Sequence, residues 1–297
     1  MDTGNWLADL SAAAEKIPYA AAPVRSAKKF ITGSGGKRYG VGQDICRVSR
    51  FNLYQCIIEG GGSAILKIAS GREYNSHLDR EALFLRMMAS GAAELDAEQG
   101  EGKAFNYAYF FPALVDSFAA ESQEGRRVNI LGFPGEIETL GQLTPVSALR
   151  EIERARVDPR TCAWILGEML KVLSFAHSQG ISNGLVAGSN FLIEREQHGL
   201  ILFDWTLAAI HNDQVPKDTV RSELAQAGRI ATLALGGEPK TGTLPEDSQL
   251  TDGRFAGYLH RLCLGEMSHS GDAHQDFYQL IWALWPRKFH PFTVYPI

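Results

Sequence analysis

Asn190 and Asp204 are the polar residues best placed for chemistry in this sequence. They bracket two short apolar runs, Asn190–Ile193 and Leu200–Phe203, around a polar turn from Glu194 to Gly199. That pattern predicts a hairpin of two short buried strands. Side by side, such strands would place an amide and a carboxylate on one edge. Such a pair suits a hard cation, because Mg²⁺ takes oxygen ligands and usually shares them with substrate phosphates.

The elements that must position this pair can be read on either side. Before it, Asp158-Pro159 gives a helix cap and first turn, followed by Trp164, Ile165, Leu166, Met169, Leu170, Val172, Leu173 and Ala176, apolar nearly all round and so a buried helix. Further upstream, Tyr39–Val48, Phe51–Ile58 and Ala64–Ile68 are β-rich runs separated by turns. His77–Ser90 has Leu78, Ala82, Leu85 and Met88 at helical spacing. Gly91–Lys103 reads as an exposed loop, Tyr107–Phe118 and Arg127–Phe133 as further strands, and Leu140–Val157 as a helix. Ser222–Ala231, Arg254–Leu264 and Ala273–Trp285 read as helices. Asn5–Ile17 is amphipathic and predicts a helix that packs on the domain or docks a partner, and Ser26–Lys37 is basic and Gly-rich, a loop or linker.

The stretch Ile181–Thr206 resembles the catalytic loop and metal-binding segment of the protein-kinase-like superfamily. Asn183 falls where that family has His, Gly184 fits the Gly of a His-Gly-Asp variant, and Leu185 falls at the catalytic aspartate. Asn190 and Asp204 match the two metal ligands, with Trp205 and Thr206 after them. Ala64-Ile65-Leu66-Lys67 matches the family's Val-Ala-Ile-Lys, and Glu81 its partner glutamate, so the resemblance implies a Lys67–Glu81 ion pair. Phe133-Pro134-Gly135-Glu136 falls at the adenine-binding hinge, which implies Phe133 and Glu136 as cofactor-binding residues, although Pro134 has no N–H to donate. Leu173–Ile181 resembles the lead into the loop, where the family's histidine, here His177, is structural, and Glu223 takes the place of the aspartate in the central C-lobe helix. Trp285–Phe292 is similar to the close of a group of bacterial kinase-like proteins that tend to lack the catalytic aspartate.

Two departures shape the functional expectation. Leu185 can neither accept a proton nor orient a hydroxyl, so no catalytic residue is assigned. The turn Cys46–Phe51, where the family has glycines, has none, so side chains crowd the phosphate position; Arg47 and Arg50 there read as solvated or, alternatively, as direct phosphate contacts. The resemblance therefore implies an α+β, two-lobed fold: an antiparallel β-rich N-lobe over 39–134 and a mostly helical C-lobe over 135–297, after an N-terminal helix and basic linker over 1–38. It implies a bacterial pseudokinase that acts as a protein-binding or regulatory module, with ATP and Mg²⁺ held weakly or not at all through Lys67, Glu81, Phe133, Glu136, Asn190 and Asp204. The alternative is an atypical transferase of phosphoryl or nucleotidyl groups, with a carboxylate supplied by Asp213 or Asp218.

Composition limits the remaining classes. The 297 residues are 45% hydrophobic, enough for a large two-lobed core. A net charge of -5 gives no reason to expect nucleic acid as a partner. No apolar run approaches the ~20 residues of a membrane span, and the first residues lack a signal peptide's basic and apolar regions. The four cysteines have no C-x-x-C spacing, which reads as free thiols in a reducing cytoplasm. The expected partner is a protein; no membrane or nucleic-acid partner is expected.

Overall fold

The computed structural model describes residues 29–99, 106–135, 137, 140–245 and 252–297. The helix expected over Asn5–Ile17 and the hinge residue Glu136 lie outside them. The chain divides into two compact units. The first holds the chain up to Thr144 together with Phe203–Leu207, and the second holds Pro145–Leu202 and Ala208–Ile297.

In the first unit, β1 (Lys29–Thr32), β2 (Arg38–Arg47), β3 (Phe51–Ile58) and β4 (Ser63–Ala69) precede a long helix, α1 (Asn75–Gln99), and then β5 (Ala113–Ala120) and β6 (Arg126–Gly132) follow. The six strands form one antiparallel sheet in the order β1-β2-β3-β4-β6-β5. One face carries a core of Ile31, Cys56, Leu66, Ile68, Val128 and Ile130, with Tyr39 stacked on Phe118 at 5.9 Å between centroids. Strand alternation puts Lys67 on the other face. Its cross-strand neighbours there are Leu53 and Asn129, and Asn129 in turn faces Ser117.

Three expectations for this unit are corrected. Lys29–Thr32 is a strand, not part of a loop: Ile31 is buried in the sheet core, and Gly35 and Gly36, at φ 63° and 79°, turn the chain back into β2. The helix does not end at Ser90 but runs to Gln99. Ala92, 1% exposed, extends the buried stripe of Leu78, Leu85 and Met88, and that packing outweighs the roughly 1 kcal/mol cost of Gly91 inside the helix. The fourth expected strand also starts later than read, because Tyr107–Phe110 forms a 3-10 turn.

The chain then forms a 3-10 turn at Leu140–Gln142, β7 (Leu143–Pro145), α2 (Val146–Glu151) and β8 (Ala155–Val157). The single helix expected over Leu140–Val157 is therefore broken. Pro145 cannot sit inside a helix, and Arg154, at φ 50°, reverses the chain. Next come α3 (Pro159–Ser178), β9 (Ile181–Ser182), β10 (Phe191–Glu194), β11 (Gly199–Leu202) and β12 (Ala209–Ile210). The rest is α4 (Lys217–Ala234), α5 (Gly253–Cys263), α6 (Ser270–Leu284) and β13 (Val294–Pro296), which pairs with β8. Asp158 caps α3, its side chain accepting from the Arg160 and Thr161 amides, and the helix is buried on nearly all sides. β10 and β11 form the hairpin read from the sequence, Phe191 opposite Leu202 and Glu194 opposite Gly199. Among the described residues, no helix is long and apolar enough to cross a membrane.

α4 approaches α5 closely at Gly228. A Cβ there would stand 2.7 Å from Leu262 Cβ and 3.2 Å from the Cys263 amide nitrogen on α5. Gly228→Ala is therefore expected to cost about 1–3 kcal/mol by overpacking. A lower urea midpoint with unchanged slope is the expected readout; an unshifted midpoint would mean that the two helices are not in this contact.

Candidate functional site

Lys67, Glu81 and Asp204, three of the sequence-predicted residues of the first unit, meet around one ammonium group. Lys67 Nζ donates to Glu81 Oε1 at 2.6 Å and to Asp204 Oδ1 at 2.8 Å. The Phe51 ring covers it, with Nζ 4.0 Å from the ring centroid, and Phe203 lies at 5.6 Å. Lys67 and Glu81 are 0% exposed and Asp204 is 3% exposed. Local structure accounts for the geometry: Lys67 sits in mid-strand between Leu53 and Asn129, and Glu81 lies on the buried stripe of α1. Asp204 belongs to the short Phe203–Leu207 segment that returns to this unit.

Further hydrogen bonds hold the carboxylates. Asn129 Nδ2 donates to Glu81 Oε2 at 3.0 Å and to the Leu78 carbonyl at 3.0 Å, while Ser117 Oγ donates to Asn129 Oδ1 at 2.8 Å. The Trp205 amide donates to Glu81 Oε1 at 3.3 Å, and the Thr206 amide to Asp204 Oδ1 at 3.0 Å. A row of polar side chains thus runs from Ser117 through Asn129 and Glu81 to Lys67 and Asp204. Buried polar groups persist only with such partners.

The charges follow from these surroundings. Burial alone would lower the Lys67 pKa, but Asp204 and Glu81 outweigh it and hold the ammonium above its ordinary value. Burial raises the Glu81 carboxyl, against the opposing pull of Lys67 and Asn129. Burial also works against the Asp204 anion, but there Lys67 and the hydrogen bonds from Thr206 win, and its pKa is lowered. One ammonium shared between two carboxylates explains why the two diverge.

In the second unit, the loop between β9 and β10 is built around Leu185. Gly184, at φ 72°, makes a turn that a side chain would strain, and its amide donates to Glu223 Oε1 at 2.7 Å. The other oxygen of Glu223 meets His177 Nε2 at 2.7 Å. Asn183 Oδ1 accepts from the Leu185 amide at 3.0 Å, and Asn190 Nδ2 donates to the Leu185 carbonyl at 2.9 Å. Leu185 itself is 1% exposed. His177 and Glu223 thus anchor the loop backbone.

Phe133 follows β6 half-buried in the first unit, while Asn190 lies in the second. Arg47 is exposed and pairs with Asp44 at 2.6 Å. Sequence reasoning missed Asn129, Ser117 and the role of Phe51. Asn129 did leave a signal: an amide in the middle of the apolar run Val128–Leu131 must find partners in a buried strand.

Lys67→Met keeps the side-chain length and removes the charge, leaving two buried carboxylates without their cation. It is expected to cost about 3–5 kcal/mol near neutral pH. The deficit should shrink as pH falls toward the carboxylate range, because protonating Glu81, whose pKa is already raised, removes one of the two charges. The wild type has the opposite dependence through Asp204: its pKa is lowered on folding, so its contribution is present above the unfolded value and lost as pH falls through the folded one. Urea unfolding of both proteins at a neutral and a mildly acidic pH checks this, and equal stability at neutral pH would refute it. Asn129→Leu should cost about 1–3 kcal/mol, since it strips a partner from Glu81 and from Ser117.

No family model and no curated protein matches this chain. Among solved structures, the chain is similar to one described as the structure of vaccinia related kinase 3, with a TM-score of 0.58 and 14% identity over 93% of this chain and 96% of that one. At that identity the likeness concerns the fold. An antiparallel sheet with one long helix, followed by a mostly helical unit, is the kinase-like architecture, and this chain has a kinase-like α+β fold.

Proposed function

We propose that this chain is a pseudokinase of the bacterial kind: a protein-binding or regulatory module that binds ATP weakly or not at all and performs no useful phosphoryl transfer. The observation that carries this reading is Leu185. It stands at the position of the catalytic aspartate, and its side chain is 1% exposed. Transfer by this fold rests on positioning and electrostatics, with that aspartate orienting the attacking hydroxyl. A buried leucine supplies neither an acceptor nor an orienting charge.

The first unit adds support. In a nucleotide-binding role, Lys67 and Asp204 would hold phosphates and Mg²⁺. They fit that role poorly as arranged: the ammonium is bonded to two carboxylates and lies under Phe51, and Asp204 Oδ1 is already engaged by Lys67 and Thr206. A phosphate would have to displace an aromatic ring and compete with a buried ion pair. The side chain that crowds the site comes from the end of the glycine-free turn Cys46–Phe51.

The alternative, a kinase-fold transferase, draws on the formed Lys67–Glu81 pair, which such catalysis requires. It needs a carboxylate to replace the missing one. Asp213 is exposed, and Asp218 is exposed and paired with Arg221 at 2.6 Å, so neither is arranged as a buried, oriented base.

Calorimetry with ATP and Mg²⁺ is expected to show no binding tighter than about 1 mM, and labelled ATP no transfer to generic substrates or to the chain itself. Micromolar affinity, or transfer that Asp204→Ala abolishes, would defeat the pseudokinase reading. Leu185→Asp is expected to bring no activity and to lower stability by more than about 2 kcal/mol, because it buries a carboxyl in place of a core side chain. Activity gained in that variant would mean that the loop had lost only its base.

A further inference from the structure

The second unit contains a cleft of about 580 Å³ that shares no residue with the loop around Leu185. Its walls come from α3, α6, the β10–β11 turn and the Trp285–His290 segment. The volume lies in the range of small-molecule sites.

The lining is aromatic in an ordered way. On α6, Tyr278 and Trp282 are four residues apart and share one face, their rings 5.6 Å apart. Across the cleft, His198 lies edge-on between Trp164 at 4.8 Å and Phe289 at 4.9 Å. Trp282 is 50% exposed and Phe289 75% exposed, far more than large apolar rings usually are. Gly167 puts bare backbone on the α3 side.

The charge is one-sided. Arg160, Arg287 and Lys288 line the cleft, and the Arg287 guanidinium lies 3.7 Å from the Trp282 ring centroid, so cation and ring are presented together. Among the described lining residues, Glu168 is the one carboxylate, and Lys171 Nζ holds both its oxygens at 2.8 and 3.0 Å. Burial raises the Glu168 pKa, against the opposing pull of Lys171. A chain of net charge -5 therefore shows an aromatic cleft with a cationic rim.

We propose that this cleft binds a small planar aromatic anion, a ring system bearing a carboxylate, sulfonate or phosphate group. The ring stacks among Trp164, Tyr278 and Trp282, and the anionic group faces Arg287 and Lys288. Offset or edge-on ring packing and charge-assisted hydrogen bonds supply the affinity. A cationic ligand with the same ring would meet the same walls and be repelled at the rim.

Anilinonaphthalene sulfonate is a direct probe, since it is fluorescent, aromatic and anionic. Titration of the full chain should give saturable binding to one site. The double variant Arg287→Glu/Lys288→Glu, and separately Trp282→Ala, should weaken it about tenfold or more. These side chains are exposed, so thermal unfolding should match the wild type, and Phe289→Ala is a second aromatic variant if Trp282→Ala fails to fold. Indoleacetate should displace the probe and tryptamine, with the same ring and the opposite charge, should not. Unsaturable binding, affinity unchanged in the folded variants, failure of indoleacetate to compete, or equal displacement by tryptamine would each overturn the proposal.

Discussion

The first unit depends on one buried ammonium group. Lys67 has no exposed surface, and its charge is answered by Glu81 and Asp204 under the ring of Phe51. Desolvating three ionisable groups is tolerable only where partners are close and the remaining oxygens are occupied. Asn129 takes the remaining oxygen of Glu81, and the Trp205 and Thr206 amides add a second donor to the Glu81 and Asp204 oxygens that Lys67 holds. The position of α1 against the sheet and the return of Phe203–Leu207 are therefore tied to the same few hydrogen bonds.

The loop around Leu185 follows a different logic. Its backbone support is complete: Glu223 bridges the Gly184 amide and His177, and two asparagine side chains bind the Leu185 backbone. The side chain that this framework encloses, Leu185, is apolar and 1% exposed. Backbone hydrogen bonds fix the shape of such a loop independently of the side chain it carries.

Much of this was legible in the sequence. Strand alternation and turn residues located β2, β3, β4 and the β10–β11 hairpin to within a residue or so, and the stripe on α1 predicted its buried face, whereas the partner of Lys67 came from the family resemblance. What was not legible arose where tertiary packing overrides local pattern. Lys29–Thr32 looked like a basic linker because only Ile31 turns inward, and Gly91 looked like a helix stop because the buried position of Ala92 cannot be read from composition. The second carboxylate on Lys67 was hidden for another reason. In the sequence Asp204 reads as a metal ligand at the end of a hairpin, and nothing local reveals that the chain carries it to a lysine far upstream. Phe51 was noted as bulk where glycine is usual, but not as the cover over that lysine.

That distance shapes how the first unit is assembled. Lys67 and Glu81 are 14 positions apart, whereas Lys67 and Asp204 are 137 apart. Closing the longer loop costs about 2 kcal/mol more in chain entropy. The strands and α1 can therefore collapse around a one-to-one ion pair as soon as they are made, but the second carboxylate arrives only after the chain has passed through Pro145–Leu202 of the second unit. During synthesis the sheet waits for a segment not yet translated. The completed core of the first unit is thus a late, high-contact-order event, and an N-terminal fragment ending near Thr144 is an unfinished domain rather than a separable one.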